Sequence, residues 1–147
     1  MPWRLRLRLT HQHGFSLIEV LVVMLILGVL AAIALPAFLG QEQKGQDADA
    51  KANARNLVSL VDACYTSKDD YTLCSDQAGL GGNIGIPYGT NPGEAEVADS
   101  TLSTYTVTAV SKAKTGGTNN TFSITRDGQG VMSRSCNGGA GCHAGSW

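Results

Sequence analysis

The sequence predicts an α+β protein with one long N-terminal membrane-spanning helix packed on a small antiparallel β-sheet. Three observations support this prediction. Residues 20–39 form an uncharged apolar run, and residues 40–65 continue it with polar and apolar residues at helical spacing. Segments with strand-like alternation then appear after residue 100.

The apolar run is long enough to cross a bilayer. Its twenty residues, at about 1.5 Å of rise each, match a hydrocarbon core of about 30 Å. Glu19 stands directly before it, and a carboxylate in such a segment costs roughly 2.5–3.5 kcal/mol on insertion scales. Glu19 is therefore a candidate functional residue. Pro36 lies within the run and predicts a helix kink, because proline removes a backbone donor.

The charges at the front of the chain are all positive. Arg4, Arg6 and Arg8 precede Gly14, and no acidic residue comes before Glu19. This asymmetry predicts a short basic leader over residues 1–14 that keeps the N-terminus in the cytoplasm. Without these residues the chain would carry 8 basic and 12 acidic groups. A mildly acidic body gives no strong signal for nucleic-acid binding.

Helical periodicity continues beyond the apolar run. Small and apolar residues recur every three or four positions at Ala50, Ala54, Leu57, Val61 and Cys64. The spacing predicts one helix from about Ser16 to about Tyr65. Its hydrophobic transmembrane half covers residues 15–39, and its amphipathic half covers residues 40–65.

The remainder, residues 66–147, is predicted to form a loop region and a C-terminal antiparallel sheet, the head. Residues 75–100 are rich in Gly, Asn, Pro and Asp without sustained periodicity, which predicts a loop. Residues 104–112, 121–126 and 131–136 are predicted strands, joined by turns at 113–120 and 127–130. Phe122 and Ile124 point to one face, where Leu57 and Val61 are the expected burial partners.

All four cysteines lie after the apolar run, at Cys64, Cys74, Cys136 and Cys142. An even number in a small exported domain predicts disulfides. Four cysteines allow three connectivities, and the sequence leaves the choice open. The local pairs Cys64–Cys74 and Cys136–Cys142 are the simplest, because each closes a short loop.

The sequence predicts no enzyme, no cofactor and no metal site. Five residues separate Cys136 from Cys142, which is too many for haem attachment, and His143 alone cannot make a zinc site. Asp69, Asp70 and Asp76 are more typical of a solvated loop than of a cation site. No nucleophile–base pattern or phosphate loop is present.

The residues Gly14-Phe15-Ser16-Leu17-Ile18-Glu19, between a basic leader and an apolar run, resemble the processing site of type IV prepilins and type II secretion pseudopilins. The resemblance covers residues 1 to about 65 well, and the rest in general plan. It implies that a membrane peptidase cuts after Gly14 and that the freed amine of Phe15 is N-methylated. It also implies that Glu19 determines assembly and that Pro36 is the family's helix-kinking proline.

The implied function is a structural subunit of a type IV pilus or pilus-like filament. The precursor would be a single-pass protein of the inner membrane, and the assembled homo-oligomer, a helical filament, would be extracellular or on the cell surface. The implied partners are the prepilin peptidase/N-methyltransferase, the pilus assembly platform and its motor ATPase.

Three alternatives remain open. One is a pseudopilin of a type II secretion or DNA-uptake system. A second is a single-pass membrane-anchored binding domain, and a third is a secreted binding domain whose signal sequence would be cut near residues 31–34, "AAIA". In the last two cases Glu19 would only snorkel at the membrane boundary, and Glu19→Ala would change nothing.

Overall fold

The structure, a computed structural model, describes residues 14–147. The predicted leader lies outside these residues, apart from Gly14. The elements are helix α1 (Leu17–Lys68), a short 3-10 helix (Tyr71–Cys74) and strands β1 (Ala95–Ser100), β2 (Tyr105–Thr115), β3 (Thr118–Arg126) and β4 (Met132–Cys136). The predicted α+β class is confirmed. The chain divides into two compact units, one ending at Phe38 and one formed by Leu39–Trp147, which we call the head.

Helix α1 ends three residues beyond the predicted boundary. Asp69 adopts a left-handed conformation with φ +55°, which breaks the helical repeat after Lys68. Asp70 then caps the 3-10 helix, because its carboxylate accepts a hydrogen bond from the Thr72 amide at 2.8 Å. The Lys68 ammonium donates to the Leu73 carbonyl at 3.0 Å and so ties this turn to the end of α1.

The sheet is antiparallel with the strand order β1-β2-β3-β4. The three predicted strands are present, but the prediction that residues 75–100 are all loop is wrong, because they contain β1. Only Ala95 and Val97 of β1 are buried, and a register shift between Val97 and Asp99 interrupts the pairing. Two buried positions are too few to produce a visible alternation.

The predicted connection at 113–120 is also wrong in length. Strand β2 continues to Thr115 and β3 starts at Thr118, so only Gly116 and Gly117 form the turn. Both have positive φ, +61° and +87°. This is the backbone that a two-residue hairpin turn matching the strand twist requires, and glycine adopts it without a Cβ clash.

The head is two layers thick, with the second half of α1 covering one face of the sheet. The apolar helix face and the inward side chains of the strands form one buried cluster, which includes Leu57, Val61, Val107, Phe122 and Ile124. The predicted burial of Phe122 and Ile124 against this helix face is confirmed. On the opposite face hydroxyl groups pair across β2 and β3, as between Thr108 and Ser123 at 2.9 Å.

Candidate assembly site

The Glu19 side chain caps the start of α1. The Ser16 amide donates to the Glu19 carboxylate at 3.0 Å, and the Glu19 amide donates to the Ser16 carbonyl at 3.0 Å. Ser-x-x-Glu at a helix start is the sequence pattern of a capping box, in which the glutamate satisfies a backbone donor of the first turn. This contact was not predicted from the sequence, although the spacing of Ser16 and Glu19 indicates it.

This contact places the Glu19 carboxylate beside the predicted cleavage point. The hydrogen-bonded amide belongs to Ser16, which follows Phe15 directly. Cleavage after Gly14 would turn the neighbouring Phe15 amide into an ammonium. The processing of Gly14 and Phe15 and the assembly role of Glu19 remain predictions.

Apolar side chains around this carboxylate are exposed on the isolated chain. Phe15 is 87% exposed, and Ile18, Val22 and Leu25 are also among the exposed large hydrophobic residues. Within the described residues, α1 is the one helix long and apolar enough to cross a membrane, by length and composition. A contiguous apolar surface of this kind normally contacts lipid or another protein.

Helix α1 continues through Pro36 without a break in its assignment. Gly28, Gly40 and Gly45 also lie within it. The kink expected at Pro36 therefore remains a prediction.

In the head, a buried carboxylate on α1 holds the C-terminal loop, residues 137–147. Asp47 is 2% exposed. It accepts hydrogen bonds from the Asn120 side-chain amide at 3.0 Å and from the Ala140 backbone amide at 2.7 Å. Lys51, one turn further along α1, donates to the Ala140 carbonyl. Asp47 and Lys51, which are spaced i, i+4 on α1, thus both contact the backbone of Ala140.

Two disulfides close short loops in the head. Cys64 bonds to Cys74 at the end of α1, and Cys136 bonds to Cys142 in the C-terminal loop. These are the two local pairs. The first joins residues that are 10 positions apart, and the second joins residues that are 6 positions apart. The helix is therefore not linked covalently to the last strand by a cysteine.

A second acid of α1, the half-buried Asp62, lies near the end of the helix. Its carboxylate accepts hydrogen bonds from the hydroxyls of Tyr105 at 3.0 Å and Tyr71 at 3.2 Å. Burial, together with the Asp62 charge, raises the pKa of both tyrosines above their ordinary value. The phenols therefore stay protonated and act as donors that tie α1 to β2 and to the 3-10 helix.

Of the three aspartates considered as cation ligands, Asp70 and Asp76 have other partners. Asp70 caps the 3-10 helix, and Asp76 accepts from the Gly79 amide at 2.6 Å. In residues 14–147 no group of three or more His, Cys, Asp or Glu residues is arranged to hold a metal ion.

Comparison with known proteins agrees with the N-terminal pattern. Residues 9–35 match the family model for the prokaryotic N-terminal methylation motif. The chain is 34% identical over 77 residues to the type IV major pilin protein PilA of Myxococcus xanthus, which covers 52% of this chain and 35% of that protein. It is 33% identical over 81 residues to the type II secretion system core protein G of Pseudomonas aeruginosa, covering 55% of each chain.

A fimbrial protein of Moraxella nonliquefaciens is 45% identical over 56 residues, which is 38% of this chain and 32% of that protein. The chain thus spans between about a third and about half of the length of these relatives. No solved structure matches the chain. The names of these relatives denote a pilin, a fimbrial protein and a secretion-system core protein, and none denotes an enzyme.

Proposed function

We propose that this chain, whose N-terminal segment is of the prepilin type, is a structural subunit of a type IV pilus or pilus-like filament. One observation carries the proposal: the methylation motif over residues 9–35 ends in a helix whose exposed apolar surface contains a single carboxylate, Glu19. In this proposal the chain acts as a filament component and performs no catalysis itself.

The proposed pathway has three stages. The precursor is held in the inner membrane by the apolar half of α1, and a prepilin peptidase/N-methyltransferase cuts it after Gly14 and methylates Phe15. An assembly platform and motor ATPase then add the mature chain to a helical homo-oligomer, in which Pro36 kinks the helix. The proposed division into leader, apolar half, amphipathic half and head follows these stages.

The Glu19 carboxylate would form an ion pair with the Phe15 ammonium of a neighbouring subunit. An ion pair among apolar helices contributes little compared with an apolar pair, but an unpaired charge there is strongly penalised. A misplaced subunit would leave two buried charges unmatched. Glu19 would thus set the register of assembly.

The capping contact gives Glu19 a second possible role, and a conservative variant separates the two. Glutamine can still accept from the Ser16 amide, because Glu and Gln both serve in capping boxes. It cannot pair with an ammonium as a charge. If Glu19 only caps α1, Glu19→Gln should assemble normally and Glu19→Ala should be impaired. If it pairs with Phe15, both variants should fail.

We expect both variants to be cut after Gly14, to remain in the membrane as mature protein and to yield few filaments. Filaments would be sheared from cells, quantified and examined by mass spectrometry for a chain that begins at methylated Phe15. Glu42→Gln is the matched control, since Glu42 is an exposed glutamate of α1 beyond the apolar run. Normal filaments from Glu19→Gln would refute the charge-pairing role.

A pseudopilin of a type II secretion or DNA-uptake system is the second candidate. The match to the Pseudomonas core protein G, which covers more than half of that protein, favours it specifically. Deletion of the gene distinguishes the two functions. Loss of secretion or of DNA uptake, without surface filaments in the parent strain, would support the pseudopilin.

A further inference from the structure

The charges of the head that follow α1 are segregated along the chain. Residues 69–111 contain six carboxylates and no lysine or arginine, whereas residues 112–147 contain four lysines and arginines and one carboxylate. Because the strand order is β1-β2-β3-β4, the first segment contains the β1 edge of the sheet and the second contains the β4 edge, while Lys112 and Lys114 lie on β2 between the edges.

Carboxylates gather at the β1 edge. Asp76, Glu96 and Asp99 are exposed or half-buried there, and we call them the acidic flank. The hydroxyl of Tyr88 joins this region, since it donates to the Ser75 carbonyl at 2.6 Å and accepts from the Val97 amide at 3.1 Å. Ser75 and Val97 are the chain neighbours of Asp76 and Glu96, so these two hydrogen bonds bring both carboxylates to the same region of the β1 edge. Burial raises the pKa of Tyr88, the Val97 hydrogen bond lowers it, and the charges of Glu96 and Asp76 raise it.

Cations gather at the β4 edge. The charged ends of Lys51, Arg55 and Arg134 lie 5.7, 5.1 and 5.3 Å from the centre of the Trp147 ring, and we call these three residues the basic flank. Arg55 and Arg134 are exposed. Asp47, the carboxylate one turn before Lys51, is held by Asn120 and Ala140. The hydrogen-bond partners of the nearby Asp47 carboxylate are thus uncharged. The basic flank contacts the rings of Trp147 and Phe122 and the Ala140 carbonyl.

We propose that the acidic flank of one head docks on the basic flank of the next copy of this chain. The inference rests on the proposed filament function and names the surface between neighbouring heads. Two different surfaces on one molecule make a heterologous contact, which produces an open helical filament if the rotation does not close. Each interior subunit would then have both flanks neutralised by its neighbours.

The test reverses one flank at a time in the full-length chain. Arg55→Glu with Arg134→Glu makes both flanks negative, and Glu96→Lys with Asp99→Lys makes both flanks positive. Like charges facing each other are strongly unfavourable, so each variant alone should yield about tenfold fewer filaments than the parent chain. Co-expressed, the two variants present opposite flanks to each other, and mixed filaments should return to within about threefold of the parent yield.

The matched control reverses two exposed lysines outside the basic flank, Lys44→Glu with Lys114→Glu, which changes the net charge by the same amount. This control should assemble normally. Mass spectrometry of the mixed filaments should find both variant chains, and their incorporation shows that each variant is folded.

Three results would overturn the contact. Either reversed variant could assemble as well as the control, the control could fail as severely as the reversed variants, or co-expression could fail to restore filaments. If one of these results is found while the parent chain forms filaments, the proposed contact is refuted and the proposed function stands. If the parent chain forms no filaments at all, the proposed function is lost, and this contact with it.

Discussion

Removal of the Asp47 carboxylate should strongly destabilise the head. Two donors depend on it, the Asn120 side-chain amide and the Ala140 backbone amide, and Asn120 is itself only 2% exposed. A hydrogen bond to a charged group contributes about 1.5–3 kcal/mol. Two lost bonds therefore cost about 3–6 kcal/mol, and the better helix propensity of alanine returns about 0.6 kcal/mol. We expect Asp47→Ala to lower the free energy of unfolding by about 2.5–5.5 kcal/mol.

The assay is urea unfolding of the mature chain in detergent micelles, followed by tryptophan fluorescence. The sequence contains Trp3 and Trp147, so a chain cut after Gly14 reports through Trp147 alone. Trp147 reports on the C-terminal loop, because it belongs to that loop and its ring contacts Phe122 of the core with centres 5.7 Å apart. Asp49→Ala is the matched control, since Asp49 is an exposed aspartate on the same helix. A loss of less than about 1 kcal/mol relative to this control would refute the anchoring role of Asp47.

Three further predictions concern single positions. Gly139→Ala should destabilise the head by about 1–3 kcal/mol more than Gly81→Ala in the same assay, because both have positive φ but a Cβ at Gly139 would lie 2.5 Å from the Asp47 carboxylate. Equal losses at the two glycines would contradict this close approach. Burial and the Asp62 charge raise the pKa of Tyr105, so its contribution to stability is present below pH about 10 and is lost as the pH rises toward the folded-state pKa. Tyr105→Phe should therefore show a smaller fall in unfolding free energy between about pH 9 and 11 than the parent chain, and an unchanged fall would argue against the raised pKa. Gly14→Val should block cleavage, because a branched side chain crowds the scissile bond, and immunoblots should show the larger precursor; normal maturation would contradict the prepilin processing.

The long helix and the inner face of the sheet were predictable because their signals are local. An uncharged run and the three- and four-residue spacing through Leu57 and Val61 fix the helix, and alternation around Phe122 and Ile124 fixes the strand face. Strand β1 was not predictable in this way. It consists of few residues, and its outward carboxylate Glu96 and the register shift before Asp99 hide the alternation.

The contacts of Asp47 and Asp62 depend on residues far apart in the sequence. Asp47 and Asn120 are 73 positions apart, and Asp62 and Tyr105 are 43 apart. On the helix alone, Asp47 looks like a member of an exposed i, i+4 pair with Lys51. Only the packing of α1 on the sheet and the position of the C-terminal loop bury it. By contrast, the capping contact between Ser16 and Glu19 was local and could have been predicted.

Several attachments of the C-terminal loop use its own main chain. Ala140 is held by its amide and its carbonyl, the Cys136 amide donates to the Gly145 carbonyl at 2.9 Å, and His143 and Ser146 exchange two backbone hydrogen bonds. None of these contacts uses the side chain of Ala140, His143 or Ser146. Substitutions at these three positions can therefore change the surface of the loop while its backbone hydrogen bonds are kept. The loop could in this way present a different epitope without a change in the fold of the head.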